Sequence, residues 1–282
     1  MPLSENLLGV FFALTSAAAW GGGDFSGGIA TRRHGPIQVL VLSSLCGMVL
    51  LSALALVWRE APPSAQSVMW AVLAGAVGTV GIATLYRALS TEPMASVAPV
   101  AAVIGVALPV AYGIGLEGMP RFIRLAGFAL AFLGIWLVSR TSTSSRSISR
   151  RGFLLTCLAG ICIGGFLIAM ARIETGQVLL PLVIARLVSF CIACLLIRTQ
   201  RLSFPSLVSN PLALLAGVLD STGNLFYLLA TQFTRLDIAA VLSSLYPAAT
   251  VLLAYLLLKE RLSSNQQVGV AMCLLAIVLI TL

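Results

Sequence analysis

The 282-residue chain is 59% hydrophobic and only 9% charged, with a formal net charge of +8 and a mean hydropathy of +1.05. A soluble domain carries roughly 25% charged residues, so this chain has too little charge to coat its apolar mass for water. Its surface must meet the lipid bilayer, which excludes a soluble globular fold and leaves the basic excess without nucleic acid as a partner.

A membrane helix needs about 20 apolar residues. Ten such stretches follow one another, at 7–29, 36–57, 68–90, 94–116, 122–139, 152–172, 178–197, 210–233, 237–258 and 266–282. The period-2 alternation of a transmembrane β-strand is missing. The expected fold is all-α and membrane-embedded, with about ten transmembrane helices.

The first span contains AAAWGGGDFSGG, where Asp24 is the only formal charge between Leu7 and Ile29. It lies about six residues past the middle of the span, roughly 9 Å from the bilayer centre at 1.5 Å per residue. Gly21, Gly22 and Gly23 lower helix propensity there by about 1 kcal/mol each, and they let a neighbouring helix or a ligand come close. Asp24 has two readings: it lines a wet cavity, where its carboxylate can exchange protons and couple transport, or it reaches toward the headgroups. Trp20 lies one turn before it. TSAAAW has the look of a leader cleavage site, but no basic residue precedes Arg32, so no leader is expected to be removed.

The next connections are short, and the Ser/Thr/Arg stretch between the fifth and sixth spans has the composition of a linker. The expected organisation is a five-helix repeat over 1–140, a linker over 141–151 and a second five-helix repeat over 152–282. Arg186 falls midway along the seventh span and Asp220 midway along the eighth. Ionisable groups at that depth are costly and mark functional-site candidates. An unpaired charge costs far more than a paired one, so Arg186 and Asp220 are expected to face each other or share a cavity. The same pairing suits a lock between two helices. Asn224 and Tyr227 follow Asp220 by one and two turns; with Trp20 they offer hydrogen bonds and an aromatic wall, or are ordinary core. Pro99, Pro109, Pro181 and Pro247 lie within or at the start of spans and free backbone carbonyls.

All six cysteines fall inside spans and read as small apolar residues. CIAC has no second pair and no histidine nearby, and His34 is alone in a loop. No metal or other cofactor is expected, and no nucleophile–base or metal constellation suggests an enzyme. Basic residues at the loops divide eleven to five between the two sides, with Arg186 inside a span. The richer side is expected to be cytoplasmic, placing both termini outside a plasma membrane and the linker inside.

The halves repeat. AGAVGTVGIATLYRALSTEPMASVAPV matches AGVLDSTGNLFYLLATQFTRLDIAAV, and LEGMPRFIRLAGFALAFLGIWLVS matches LKERLSSNQQVGVAMCLLAIVLIT. The spacing is nearly constant from end to end: Phe25 pairs with Phe166, Tyr86 with Tyr227, Glu117 with Glu260 and Gly127 with Gly269. Five spans per repeat carry the second copy into the membrane from the opposite side, so the expected relation is an inverted-topology repeat. Transporters built this way bind near the midplane at the repeat interface.

WGGGDFSGG in the first span and LYPAATVLLAYLLLKERLSSNQQVGVAMCLLAIVLI near the end resemble the EamA-type drug/metabolite transporter superfamily. The resemblance spans both repeats, although LEGMP departs from the usual Gly-Glu-Arg turn. It implies a ten-helix fold and movement of small metabolites, commonly export. It brings no binding residues with it, because substrates vary widely across the family.

The resulting expectation is a multi-pass secondary transporter working by alternating access, with a small-molecule substrate, a proton as the coupling ion and the bilayer as its surroundings. The candidate site residues are Asp24, Arg186, Asp220, Asn224, Tyr227 and Trp20. Two carboxylates and a guanidinium suit a zwitterion such as an amino acid. If Asp220 satisfies Arg186, only Asp24 is free and efflux of a cationic drug-like compound fits better. A channel would show a polar stripe or charged rings, and a non-transporting membrane protein is the remaining alternative. The sequence does not set an oligomeric state.

Overall fold

The computed structural model describes residues 3–31, 35–91, 94–139, 149–206, 210–258 and 263–281. The loop with Arg32, Arg33 and His34, the linker up to residue 148 and the turn at Lys259, Glu260 and Arg261 lie outside them. The regular elements are all helices: α1 (Leu3–Ala30), α2 (Pro36–Trp58), α3 (Ala65–Thr91), α4 (Met94–Glu117), α5 (Phe122–Ser139), α6 (Arg150–Ala171), α7 (Leu179–Thr199), α8 (Pro211–Phe233), α9 (Leu236–Ser243), α10 (Tyr246–Leu258) and α11 (Ser264–Thr281). Among the described residues, eight segments are long and apolar enough to cross a membrane, and Phe122–Val138 is a shorter apolar helix. With the long α1, this is a multi-pass membrane protein.

One expected element is corrected. The ninth span, 237–258, is two helices, α9 and α10, interrupted at Ser244 and Leu245. Proline lacks an N–H, and its ring clashes with the carbonyl four residues back, so Pro247 cannot sit within one unbroken helix through Ser243. The chain tightens instead: the Leu245 N–H bonds the Leu242 carbonyl at 3.2 Å and the Ala248 N–H bonds the Leu245 carbonyl at 2.9 Å. Eleven helices therefore fill ten spans.

The helix packing exchanges when the repeats are exchanged. α1 on α8 corresponds to α3 on α6, and α2 on α8 to α3 on α7, while α2 with α7 and α5 with α11 are self-corresponding pairs. The correspondence reaches single residues. A Cβ on Gly127 would sit 3.1 Å from the Ile280 nitrogen, and one on Gly269 would sit 2.7 Å from the Val138 nitrogen. Gly127 and Gly269 are repeat equivalents, and Val138 and Ile280 are equivalents in the same register. Arg59 and Arg201, which also correspond, share a left-handed φ of 53° just beyond α2 and α7. Such interfaces need backbones in close approach, which small residues allow where lipid supplies no hydrophobic drive between helices.

Contacts between helix ends define two faces. At the first face, where α1 begins, Thr234 bonds Asn6, and Glu60 in the α2–α3 loop accepts from the N–H groups of Val178, Leu179 and Leu180 at 2.5, 3.0 and 2.6 Å. At the second face, where α1 ends, Gln38 donates to the Ser203 carbonyl at 2.8 Å and Asn210 to the Ala30 carbonyl at 2.9 Å.

Candidate functional site

Four helices converge on the charged residues inside the bundle: α1 with Asp24, α7 with Arg186, α8 with Asp220 and α10 with Tyr246. Gly21 and Gly23 make this approach possible. A Cβ on Gly21 would sit 2.5 Å from the Ala249 Cβ of α10, and one on Gly23 would sit 3.3 Å from the Asp220 nitrogen of α8. The Thr250 hydroxyl donates to the Gly21 carbonyl at 3.1 Å, pinning α10 to α1. The glycines thus serve helix packing, and they bring Asp24 beside Asp220.

Arg186 and Asp220 form an ion pair through a guanidinium nitrogen and a carboxylate oxygen. Their burial is unequal: the Arg186 side chain is 10% exposed and that of Asp220 38%. The guanidinium is nearly buried while the carboxylate keeps more than a third of its surface exposed. Asp24 is exposed and lies within electrostatic reach of Asp220 and Tyr246. Among the described residues it has no hydrogen-bond or ion-pair partner. Two carboxylates and one guanidinium leave the cluster with one negative charge when all are ionised, and Asp24 carries it.

The neighbouring candidates form the wall. Trp20 donates its indole N–H to the Asn224 side-chain oxygen at 3.0 Å. Its ring stands 5.6 Å from Tyr227 and 6.2 Å from Tyr246, the latter edge-on, geometries typical of attractive aromatic pairs. Tyr227 is fully buried and its hydroxyl donates to the Leu167 carbonyl at 3.0 Å. Of the two roles read for Tyr227, the structure fits ordinary core: its ring is fully buried and its hydroxyl is committed to α6. Asn224 is nearly buried and held by Trp20.

Gly28, one turn beyond Asp24, is exposed, and an added Cβ there would touch nothing within 4 Å. Its repeat equivalent, in the register that pairs Phe25 with Phe166, is Ala169. Ala169 is 1% exposed and belongs to the main core, which also holds Met170, Tyr227, Ile238 and Leu242. Corresponding positions near the ends of α1 and α6 are therefore exposed in one repeat and buried in the other.

The sequence reading misses a second charged cluster, Glu117, Arg235 and Asp237, which joins the end of α4 to the start of α9. It assigns Arg235 to topology and leaves Asp237 at a span boundary. The one available signal is an arginine two residues from an aspartate where an apolar run begins. Glu60, which caps α7, reads from sequence only as part of a loop.

The model of the EamA-like transporter family matches the chain twice, over residues 7–140 and 150–282. No curated protein matches it. A solved structure, titled only as the crystal structure of a protein, superposes with a TM-score of 0.78 at 19% identity, covering 97% of this chain and 98% of its own. At that identity the likeness speaks to the fold alone.

Proposed function

Because the chain belongs to the EamA-like transporter family, we propose that this membrane transporter is a secondary transporter of a small metabolite, working by alternating access with Asp24 as its protonatable coupling group. The observation that carries this reading is an exposed carboxylate within a transmembrane helix, beside the Arg186–Asp220 pair and with no hydrogen-bond or ion-pair partner of its own among the described residues. A carboxylate held there by protein walls can bind a proton or a substrate cation, but not both at once. Occupancy by one expels the other, so the coupling is exchange. With protons driven inward across the plasma membrane, exchange means export of the substrate. Two inverted copies support the alternation, since each can adopt the arrangement of the other.

The pairing of Arg186 with Asp220 favours a cationic substrate over a zwitterion. A substrate carboxylate would have to displace Asp220 from a nearly buried guanidinium, whereas a cation finds Asp24 unpaired and Asp220 half-exposed. Trp20 and Tyr246 add π-faces that attract organic cations.

Proteoliposomes under an imposed proton gradient test both points, with ethidium as the organic-cation probe and neutral amino acids as zwitterions. Gradient-driven accumulation of ethidium, abolished by Asp24→Asn while the variant remains folded, is the expected result. An Asp24→Asn protein that accumulates substrate with the parent's pH dependence would make the carboxylate structural. Accumulation of the amino acids but not ethidium would reverse the substrate assignment.

A further inference from the structure

At the first face the end of α4, from one repeat, meets the start of α9, from the other. Arg235 donates through Nε at 3.1 Å and Nη2 at 2.8 Å to the carboxylate of Asp237, which is wholly buried. Its Nη1 and Nη2 also donate to the carbonyls of Glu117 at 3.3 Å and Gly118 at 2.7 Å, at the end of α4. The Glu117 carboxylate lies 3.5 Å from Arg235 Nε and accepts from the Leu236 N–H at 3.1 Å, capping α9. One turn before Glu117, Gly113 is so close that an added Cβ would sit 3.0 Å from the Asp237 nitrogen. Hydrogen bonding to Asp237 raises the Arg235 pKa above its already high ordinary value, so the guanidinium stays charged. Parting α4 from α9 takes away the partners of Arg235 on α4, the Glu117 carboxylate and the Glu117 and Gly118 carbonyls, while its pair with Asp237 lies within the start of α9 and holds the guanidinium in place for those partners.

The repeat relation gives this contact a counterpart that the structure does not form. The corresponding contact at the second face would join the start of α4 to the end of α10. Among the described residues α4 packs on α9, and no comparable packing joins it to α10. Gly28 near that face is exposed while its equivalent Ala169 near the first is buried.

We propose that Glu117, Arg235 and Asp237 form the lock that holds the first face shut while the second is open, and that transport requires this lock to part. The proposal rests on the alternating-access reading, but not on any particular substrate or coupling ion.

Cysteine accessibility tests it without measuring transport. In the full chain with its six native cysteines replaced by alanine or serine, Gly28→Cys and Ala169→Cys are made separately, reconstituted in nanodiscs and timed against a hydrophilic maleimide. In the parent background Gly28→Cys should react readily and Ala169→Cys barely. Adding Arg235→Gln, or the milder Glu117→Gln, should speed Ala169→Cys at least tenfold and slow Gly28→Cys. A reciprocal change marks exchange of faces; both rates rising together marks loosening and overturns the proposal, as does an unchanged Ala169→Cys rate. Gly113→Leu separates the two levels of the argument, because it wedges α4 from α9 without touching a charge. A reciprocal shift with Gly113→Leu but not with Arg235→Gln discards the lock and keeps alternating access. No reciprocal shift in any variant discards both.

Discussion

The Arg186–Asp220 pair permits a prediction with a direction as well as a size. Asp220→Leu leaves a guanidinium whose side chain is only 10% exposed; stranding such a charge costs about 3 to 5 kcal/mol. Arg186→Leu leaves Asp220, whose side chain is 38% exposed, so its penalty is expected to be screened to about 1 kcal/mol. The double leucine variant strands neither charge and is expected near the Arg186→Leu value or milder, since apolar replacement of a buried pair is often neutral. The expected order of stability is therefore double variant and Arg186→Leu above Asp220→Leu, with a coupling of about 3 to 5 kcal/mol, at or above the upper end of the range found for residues in direct contact. At about 1.4 kcal/mol per factor of ten, that is roughly a hundred- to several-thousandfold effect on the folded-to-unfolded ratio. Thermal unfolding of all four proteins in one detergent, followed by tryptophan emission and by recovery on gel filtration, measures it. Additive losses within about 0.5 kcal/mol, or Arg186→Leu as the worst variant, would show that the two charges are not each other's solvation.

Two further outcomes are expected. Glu60→Ala removes an acceptor serving three N–H groups at the start of α7 and should cost about 2 kcal/mol, with Glu60→Gln losing about half as much; an unchanged unfolding temperature for the alanine variant would mean water caps the helix equally well. The eleven-to-five distribution of basic residues predicts that a cysteine placed at Ser142 is protected from an impermeant reagent added outside intact cells; modification from outside would reverse the orientation.

The spans are legible because lipid imposes one rule along the whole chain: a helix must be long and apolar enough to cross. Mid-membrane charges obey a second rule, that each needs a partner or water, and this joins Arg186 to Asp220 from sequence alone, as the structure bears out. The break at Ser244 and Leu245 is harder to see. Pro247 is visible, but an apolar run continues across it, and hydropathy does not register which carbonyl loses its N–H. Helical spacing places Tyr227 on the face of Asp220, yet spacing cannot say that its hydroxyl is taken by Leu167. The Glu117–Arg235–Asp237 cluster is the least legible. Its ties to α4 span almost half the chain, from Arg235 back to Glu117 and Gly118, and loop charges carry a ready explanation in topology that hides their packing role.

The two repeats also separate what the fold needs from what the charges add. Gly75 and Gly217 are equivalent positions in the register that pairs Gly127 with Gly269, and each lies against the backbone of its partner helix, at Ala185 and Ser43 respectively. Glycine stands at both because neither interface admits a Cβ. The charged positions behave differently. Arg186 corresponds to Ser44, Asp220 to Gly78 and, in the register of the first helix, Asp24 to Gly165. Ser44 is buried with its hydroxyl unbonded, and Gly78 faces the ring of Phe166, which would sit 3.0 Å from an added Cβ. At each of these three positions the opposite repeat builds the same frame without the charge, so helix packing common to the repeats does not demand them. An exchange mechanism calls for this division: a frame symmetric enough for its two ends to trade conformations, and a single unpaired carboxylate on it, so that one proton is carried per turnover rather than one per repeat.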